Sequence, residues 1–134
     1  MSTPRVVYTA GVFDLLHRGH LNLLWQSKRM GDILVVGVVS DSGCFAYKQV
    51  FPTDTLEVRM HNLRRLGFVD FVVRQETTDP TDVLERIRPD VMTHADDWHR
   101  LRQGHDTLER LGIEWALIPY TEGVSSTQLR EAAR

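Results

Sequence analysis

Apolar positions along the chain follow two periods that alternate. Arg5-Val6-Val7-Tyr8-Thr9 is β-branched and aromatic, as a strand requires, and Leu21, Leu24 and Trp25 then recur at helical spacing. Gly31-Asp32 breaks that helix. Ile33-Leu34-Val35-Val36-Gly37-Val38-Val39 follows as a nearly unbroken apolar run, ending at Ser40-Asp41, the pattern of a parallel strand buried on both faces. Gly43 to Pro52 reads as a flexible loop. Asp54 with Glu57 makes a capping-box-like start for a helix through Met60, Leu63 and Leu66, with Thr53 as a rival cap, and Gly67 ends it. Phe68 to Val73 reads as a third strand. Asp79-Pro80 supplies the cap and first position of a helix through Val83, Leu84 and Ile87, closed by Pro89. Val91-Met92-Thr93 is a short fourth strand, a helix carrying Leu101, Leu108 and Leu111 stops at Gly112, and Ile113 to Ile118 is the fifth strand. Past the turn Thr121-Glu122-Gly123-Val124, Ser125 caps a last helix, with Gln128 completing its capping box. Five strands alternating with five helices predict a doubly wound, five-stranded parallel α/β sheet in a single domain over residues 1–134.

Ligands of such sheets bind at the carboxyl ends of the strands. His17 and His20 follow strand 1, Lys48 follows strand 2, Asp96 and Asp97 follow strand 4, and Thr121, Ser125 and Ser126 follow strand 5. Surface polarity alone would scatter such groups over both ends of the sheet, so their convergence predicts a site. The segment Gly11-Val12-Phe13-Asp14-Leu15-Leu16-His17-Arg18-Gly19-His20 joins strand 1 to the first helix, where unpaired N–H groups and the macrodipole favour an anion. Two imidazoles three residues apart add side-chain donors there.

The bulk composition narrows the partner. The chain has 134 residues, 42% of them hydrophobic, and a formal charge of −2 without a basic tract, which favours a small ligand over nucleic acid. Cys44 is the sole cysteine, and neither a signal-peptide core nor a membrane-length apolar run is present, so the cytoplasm is the expected compartment and no membrane insertion is expected. Plainer readings compete at several positions. The histidine pair lacks a third His or Cys nearby, which argues against zinc, and no metal site is assigned. Phe13 and Trp98 suit a core or a site wall, Asp70 a structural acceptor at a strand end, Arg64 and Arg65 a solvated helix face, and Ser125 a simple cap.

The Gly11–His20 string resembles the signature of the cytidylyltransferase-like nucleotidyltransferases, and Gly123-Val124-Ser125-Ser126-Thr127 is similar to their C-terminal Gly-Ile-Ser-Thr-Thr motif. Arg59, Val69-Asp70, Pro89-Asp90 and Ala95-Asp96-Asp97-Trp98 fall where members carry Arg, Val-Asp, Pro-Asp and Gly-Asp-Asp-Trp. Asp96-Asp97-Trp98 and Thr121-Glu122-Gly123 look closest to the small glycerol-3-phosphate cytidylyltransferases. The stretch Glu76 to Val91, with Arg88-Pro89-Asp90-Val91, is at least as similar to the heptose-phosphate adenylyltransferases, which use ATP. His94 before Asp96-Asp97 faintly resembles the choline- and ethanolamine-phosphate enzymes. Tyr120 stands where the glycerol-phosphate enzymes carry an Arg, removing a bidentate ligand, and Ala95 stands in place of a Gly.

The resemblance implies a Rossmann-like, HIGH-type nucleotidyltransferase fold and transfer of a nucleotidyl group from a triphosphate, CTP by preference, to a small phosphorylated alcohol such as glycerol 3-phosphate. Adenylyl transfer from ATP to heptose 1-phosphate is the alternative, and a non-catalytic nucleotide-binding regulator is a second. It further implies His17, His20 and Lys48 as catalytic residues, and Gly11, Phe13, Asp14, Gly19, Asp97, Thr121, Ser125, Ser126 and Thr127 at the nucleotide. Arg59 would serve the acceptor or a phosphate, Mg²⁺ would accompany the triphosphate, and the chain would form a homodimer.

Overall fold

The computed structural model describes residues 3–95 and 103–119. Ten elements follow one another: β1 (Val6–Gly11), α1 (Arg18–Lys28), β2 (Ile33–Val39), α2 (Asp41–Lys48), α3 (Leu56–Arg64), β3 (Phe71–Gln75), α4 (Thr81–Ile87), β4 (Val91–Ala95), α5 (His105–Leu111) and β5 (Glu114–Ile118). The strands form one parallel sheet in the order β3-β2-β1-β4-β5. The chain thus winds outward from β1 to β3, then crosses back to β4 beside β1. That reversal opens a crevice at the carboxyl ends of β1 and β4.

Register explains why the central strands are apolar throughout. Val7, Leu34 and Val91 align across β1, β2 and β4 and face α1 and α3 with Leu24, Leu56 and Leu63. The next row, Tyr8, Val35 and Met92, faces α4 and α5 with Val83, Leu84 and Leu108. Each face is therefore a separate apolar layer, and a strand between two layers has no position to spare for water. Buried hydroxyls of the central strands and α1 are paired. Ser27 Oγ of α1 lies 2.6 Å from Thr93 Oγ1 and donates to Leu23 O, while Tyr8 Oη donates to Gln75 Oε1 at 2.6 Å. Burial also holds the Tyr8 phenol above its ordinary pKa.

At the amino edge of the sheet, three aspartates satisfy the N–H groups with which strands begin. Asp32 accepts from Arg5 N–H, Asp90 from Val6 N–H and Asp70 from Leu34 N–H, at 2.7, 2.7 and 2.8 Å. The Val69-Asp70 and Pro89-Asp90 dipeptides are thus structural, and they lie at the edge opposite the crevice. Lys28 Nζ also donates to Asp70, and these two hydrogen bonds, that of Lys28 foremost, hold the carboxyl below its ordinary value. A depressed carboxyl stabilises the fold above its unfolded pKa of 3.8 and loses that contribution as pH falls through the folded value. The expected result is a melting-temperature gap between the native chain and Asp70→Asn that is constant above about pH 5 and closes in acid.

Three local expectations are corrected. Gly43 to Pro52 is not a loop: α2 occupies its first half, because Ser40 Oγ caps Gly43 N–H at 3.0 Å and Asp41 sits in the first turn. The cap of α3 is Thr55, whose hydroxyl accepts from Val58 N–H, rather than Asp54 or Thr53, whose backbone N–H groups are turned to another carboxylate. The third strand starts at Phe71, since Leu66 to Asp70 is spent on a turn closed by Val69 N–H donating to Leu66 O. The helix expected after Ser125 lies outside the described residues. No described helix is long and apolar enough to cross a membrane.

Candidate active site

Between the end of β1 and the start of α1 the chain runs through residues 12–17 and delivers His17 as the N-cap. A capping box usually pairs a hydroxyl with a carboxylate or amide. Here two imidazoles fill both places: His17 Nδ1 accepts from Gly19 N–H at 3.0 Å, and His20 Nδ1 accepts from His17 N–H at 3.3 Å. A ring nitrogen that accepts carries no proton, so each neutral ring bears its hydrogen on Nε2. The rings stack with centroids 3.9 Å apart, and the edge of Phe13 meets His20 at 5.5 Å.

Burial pushes the His17 imidazole below its ordinary pKa, and burial followed by the neighbouring His17 pushes His20 down to about 4 against the opposing pull of Asp14. Both rings are therefore neutral donors at neutral pH. The first turn of α1 holds no acidic side chain that would offset the positive helix end. The arrangement suits an anion that gains negative charge, because the donors are fixed beforehand and add no proton of their own.

The turn itself is strained. Phe13 and Leu15 adopt φ of 54° and 53°, in the left-handed region that side chains avoid at a cost on the order of 1–3 kcal/mol each. Phe13 is buried, as a wall residue should be, and its ring packs where a Cβ on Gly11 would sit, 3.2 Å away. Gly11 thus leaves room for the Phe13 ring. Between the two left-handed residues, Asp14 is buried and accepts from Thr53 and Asp54 N–H at 2.8 and 2.9 Å, so it fastens the turn to the segment before α3.

Arg59 requires a further correction. It was expected to meet a phosphate, but its side chain is fully buried, with Nη1 donating to Val12 O and Val39 O, Nε to Asp54 O and Nη2 to Asp41 Oδ1. Lys48 is the last residue of α2 and exposed, and among the described residues no hydrogen bond or ion pair ties it to the imidazoles. Gly19 supplies the capping N–H within the first turn. His94 lies at the carboxyl end of β4 with Nδ1 3.2 Å from Ala95 O. Asp97, Thr121, Ser125, Ser126 and Thr127 fall outside the described residues, as do Asp96, Trp98 and Tyr120. Sequence reasoning missed Asp41 and the linkage it makes with Arg59. The signal available was Asp41 directly after a strand, which reads equally well as a turn residue.

Comparison with known proteins places this geometry. The sequence profile of the family described as Cytidylyltransferase-like matches residues 8–132. The bifunctional protein HldE of Desulfatibacillum aliphaticivorans is 35% identical over 97% of this chain, and that of Methylococcus capsulatus is 37% identical over 97%. The chain spans only 27% and 28% of the length of those two relatives. Among solved structures, the lipopolysaccharide core biosynthesis protein of Thermoplasma volcanium superposes with a TM-score of 0.72 at 28% identity, covering 89% of this chain and 98% of that one. A protein of unknown function from Archaeoglobus fulgidus shares the fold, with a TM-score of 0.70 at 19% identity.

Proposed function

This chain belongs to the cytidylyltransferase-like family, and from that premise we propose that it is a nucleotidyltransferase moving an adenylyl group from ATP to a sugar phosphate of the heptose 1-phosphate class, with release of pyrophosphate. The observation that carries the reaction type is the stacked pair of neutral imidazoles capping α1, two fixed donors at a helix N-terminus beside the sheet reversal. An oxygen of the acceptor phosphate attacks the α-phosphorus, a P–O bond forms, and the bond from the α-phosphorus to the bridging oxygen breaks. A phosphate monoester is already anionic, so the protein needs no nucleophile of its own and no strong base. His17 and His20 donate to the oxygens on which charge builds, and Mg²⁺ enters as part of the triphosphate substrate. Lys48 would meet the triphosphate by movement of its exposed end of α2.

The choice of ATP and a sugar phosphate is supported by the Glu76–Val91 resemblance, by Tyr120 in place of Arg, and by relatives named HldE and for lipopolysaccharide core biosynthesis. A polysaccharide core is assembled from activated sugars, which such a transfer produces. A second reading, CTP with glycerol 3-phosphate, is favoured by Asp96-Asp97-Trp98 and Thr121-Glu122-Gly123. We take the enzyme to act as a homodimer, with sedimentation as the check. Pyrophosphate release across ATP, CTP, GTP and UTP, each with heptose 1-phosphate and glycerol 3-phosphate, separates the readings. ATP with the heptose phosphate is expected to be fastest by at least about tenfold, the scale of roughly 1.4 kcal/mol of discrimination. Faster turnover of CTP with glycerol 3-phosphate selects the second reading, and nucleotide binding without release in any pair marks a regulator.

A further inference from the structure

We propose that Arg59 is a positioning residue for the β1–α1 turn, its buried guanidinium fixing the peptide that leads into His17 and His20. Four acceptors from three stretches of chain converge on it: Val12 O in the turn at 2.8 Å, Val39 O at the end of β2 at 2.8 Å with Asp41 Oδ1 at the start of α2 at 2.6 Å, and Asp54 O before α3 at 3.1 Å. The turn returns the grip through Asp14, whose carboxylate accepts from Thr53 and Asp54 N–H. Two opposed tethers thus join the turn to the approach to α3, one on each side of Phe13.

Phe13 and, just past the second tether, Leu15 are the left-handed residues of this turn. Two such residues do not hold themselves in place, and surrounding structure must fix them. A trans peptide sets its N–H opposite its C=O, so pinning the Val12 carbonyl towards α3 directs the Phe13 N–H to the other side of the turn. A methionine at position 59 would fill similar volume without the penalty of burying a charge. What the guanidinium adds is a planar fork of directed bonds.

The kinetic part of the test rests on the proposed nucleotidyl transfer, whereas the exchange part does not. In the native chain, hydrogen exchange followed by NMR is expected to show the capping amides of His17 and Gly19 opening together with the amides of α3. In Arg59→Met, protection at His17 and Gly19 falls by about tenfold or more, while Leu108 in α5 keeps its own within about twofold, as local rather than global opening requires. Turnover falls about 10²-fold, the scale of a misplacement near 1 Å, with nucleotide KM changed by less than about threefold. Arg59→Lys, which keeps the charge but not the fork, recovers part of both losses. A folded Arg59→Met with unchanged protection overturns the proposal. Should both variants fail to fold, exchange of His17 and Gly19 at unstructured rates beside a protected α3 in the native chain overturns it equally. Loss of protection in Arg59→Met, in a native chain that releases no pyrophosphate, overturns the proposed reaction and leaves the positioning role standing.

Discussion

His20→Asn and His17→Asn are each expected to lower kcat for pyrophosphate release by about 10²–10³-fold, the effect of deleting one preorganised donor worth roughly 2.7–4 kcal/mol. The loss is chemical rather than structural. Each ring also caps α1, but a cap is worth only about 1 kcal/mol, which in a domain of this size lowers the melting temperature by roughly 3–5 °C. Circular dichroism should therefore report folded variants that scarcely turn over, and near-native turnover in both would sink the assignment. The pH dependence divides the contributions further. With His17 held below its ordinary pKa and His20 pushed down to about 4, both imidazoles stay neutral at neutral pH. The acid limb of kcat/KM is then expected to follow the acceptor phosphate, whose second ionisation lies near about 6. Stability responds differently: a histidine whose folded pKa is depressed leaves the unfolded chain binding the extra proton between about 6.5 and about 4, so stability falls as pH drops through that window. His20→Asn should flatten that decline.

Gly37→Ala is expected to destabilise the fold more than any other single methyl added to a described strand, by about 3 kcal/mol or more. Gly37 lies in β2, paired with Ala10 on one side and Val73 on the other, and a Cβ there would stand 1.7 Å from Tyr8 Oη and 2.6 Å from Tyr8 Cζ. Neither partner can yield cheaply. Backbone on both sides is fixed by the sheet ladder, and the tyrosine is fully buried with its hydroxyl spent on Gln75. Tyr8→Phe removes the nearest atom and leaves the ring carbon, so it should rescue only in part, while Tyr8→Leu should rescue more. Denaturant unfolding of the three singles and the two doubles gives the couplings directly. Additive effects would show that the clash is relieved elsewhere.

Much of the fold was legible because buried parallel strands read as apolar runs, and Ile33–Val39 is such a run along its whole length. The His17–His20 helix start was legible for a similar reason: strand residues precede it and helix residues follow. What escaped notice was α2, since Ser-Asp-Ser-Gly has the composition of a turn, and only the tertiary seat of Gly43, whose Cβ would lie 2.2 Å from Glu76 O, shows that a helix is packed there. Arg59 was misplaced for a different physical reason. An arginine near a phosphate-binding crevice and an arginine holding backbone carbonyls look alike in one dimension, and burial distinguishes them only once the fold brings Val12, Val39 and Asp41 to the same point. Asp70 illustrates the converse, because the sequence suggests a structural acceptor at a strand end, although its partner Leu34 N–H lies on another strand.

The committed Nδ1 atoms of the histidine pair also govern how the protein meets thiophilic and borderline metals. A copper or zinc ion seeking an imidazole finds one nitrogen of each ring already engaged with a backbone amide, so ligation there would unwind the opening turn of the helix. Inhibition of the proposed transfer by such ions would then involve the Nε2 atoms proposed to meet the nucleotide, and should be relieved by saturating substrate rather than by refolding.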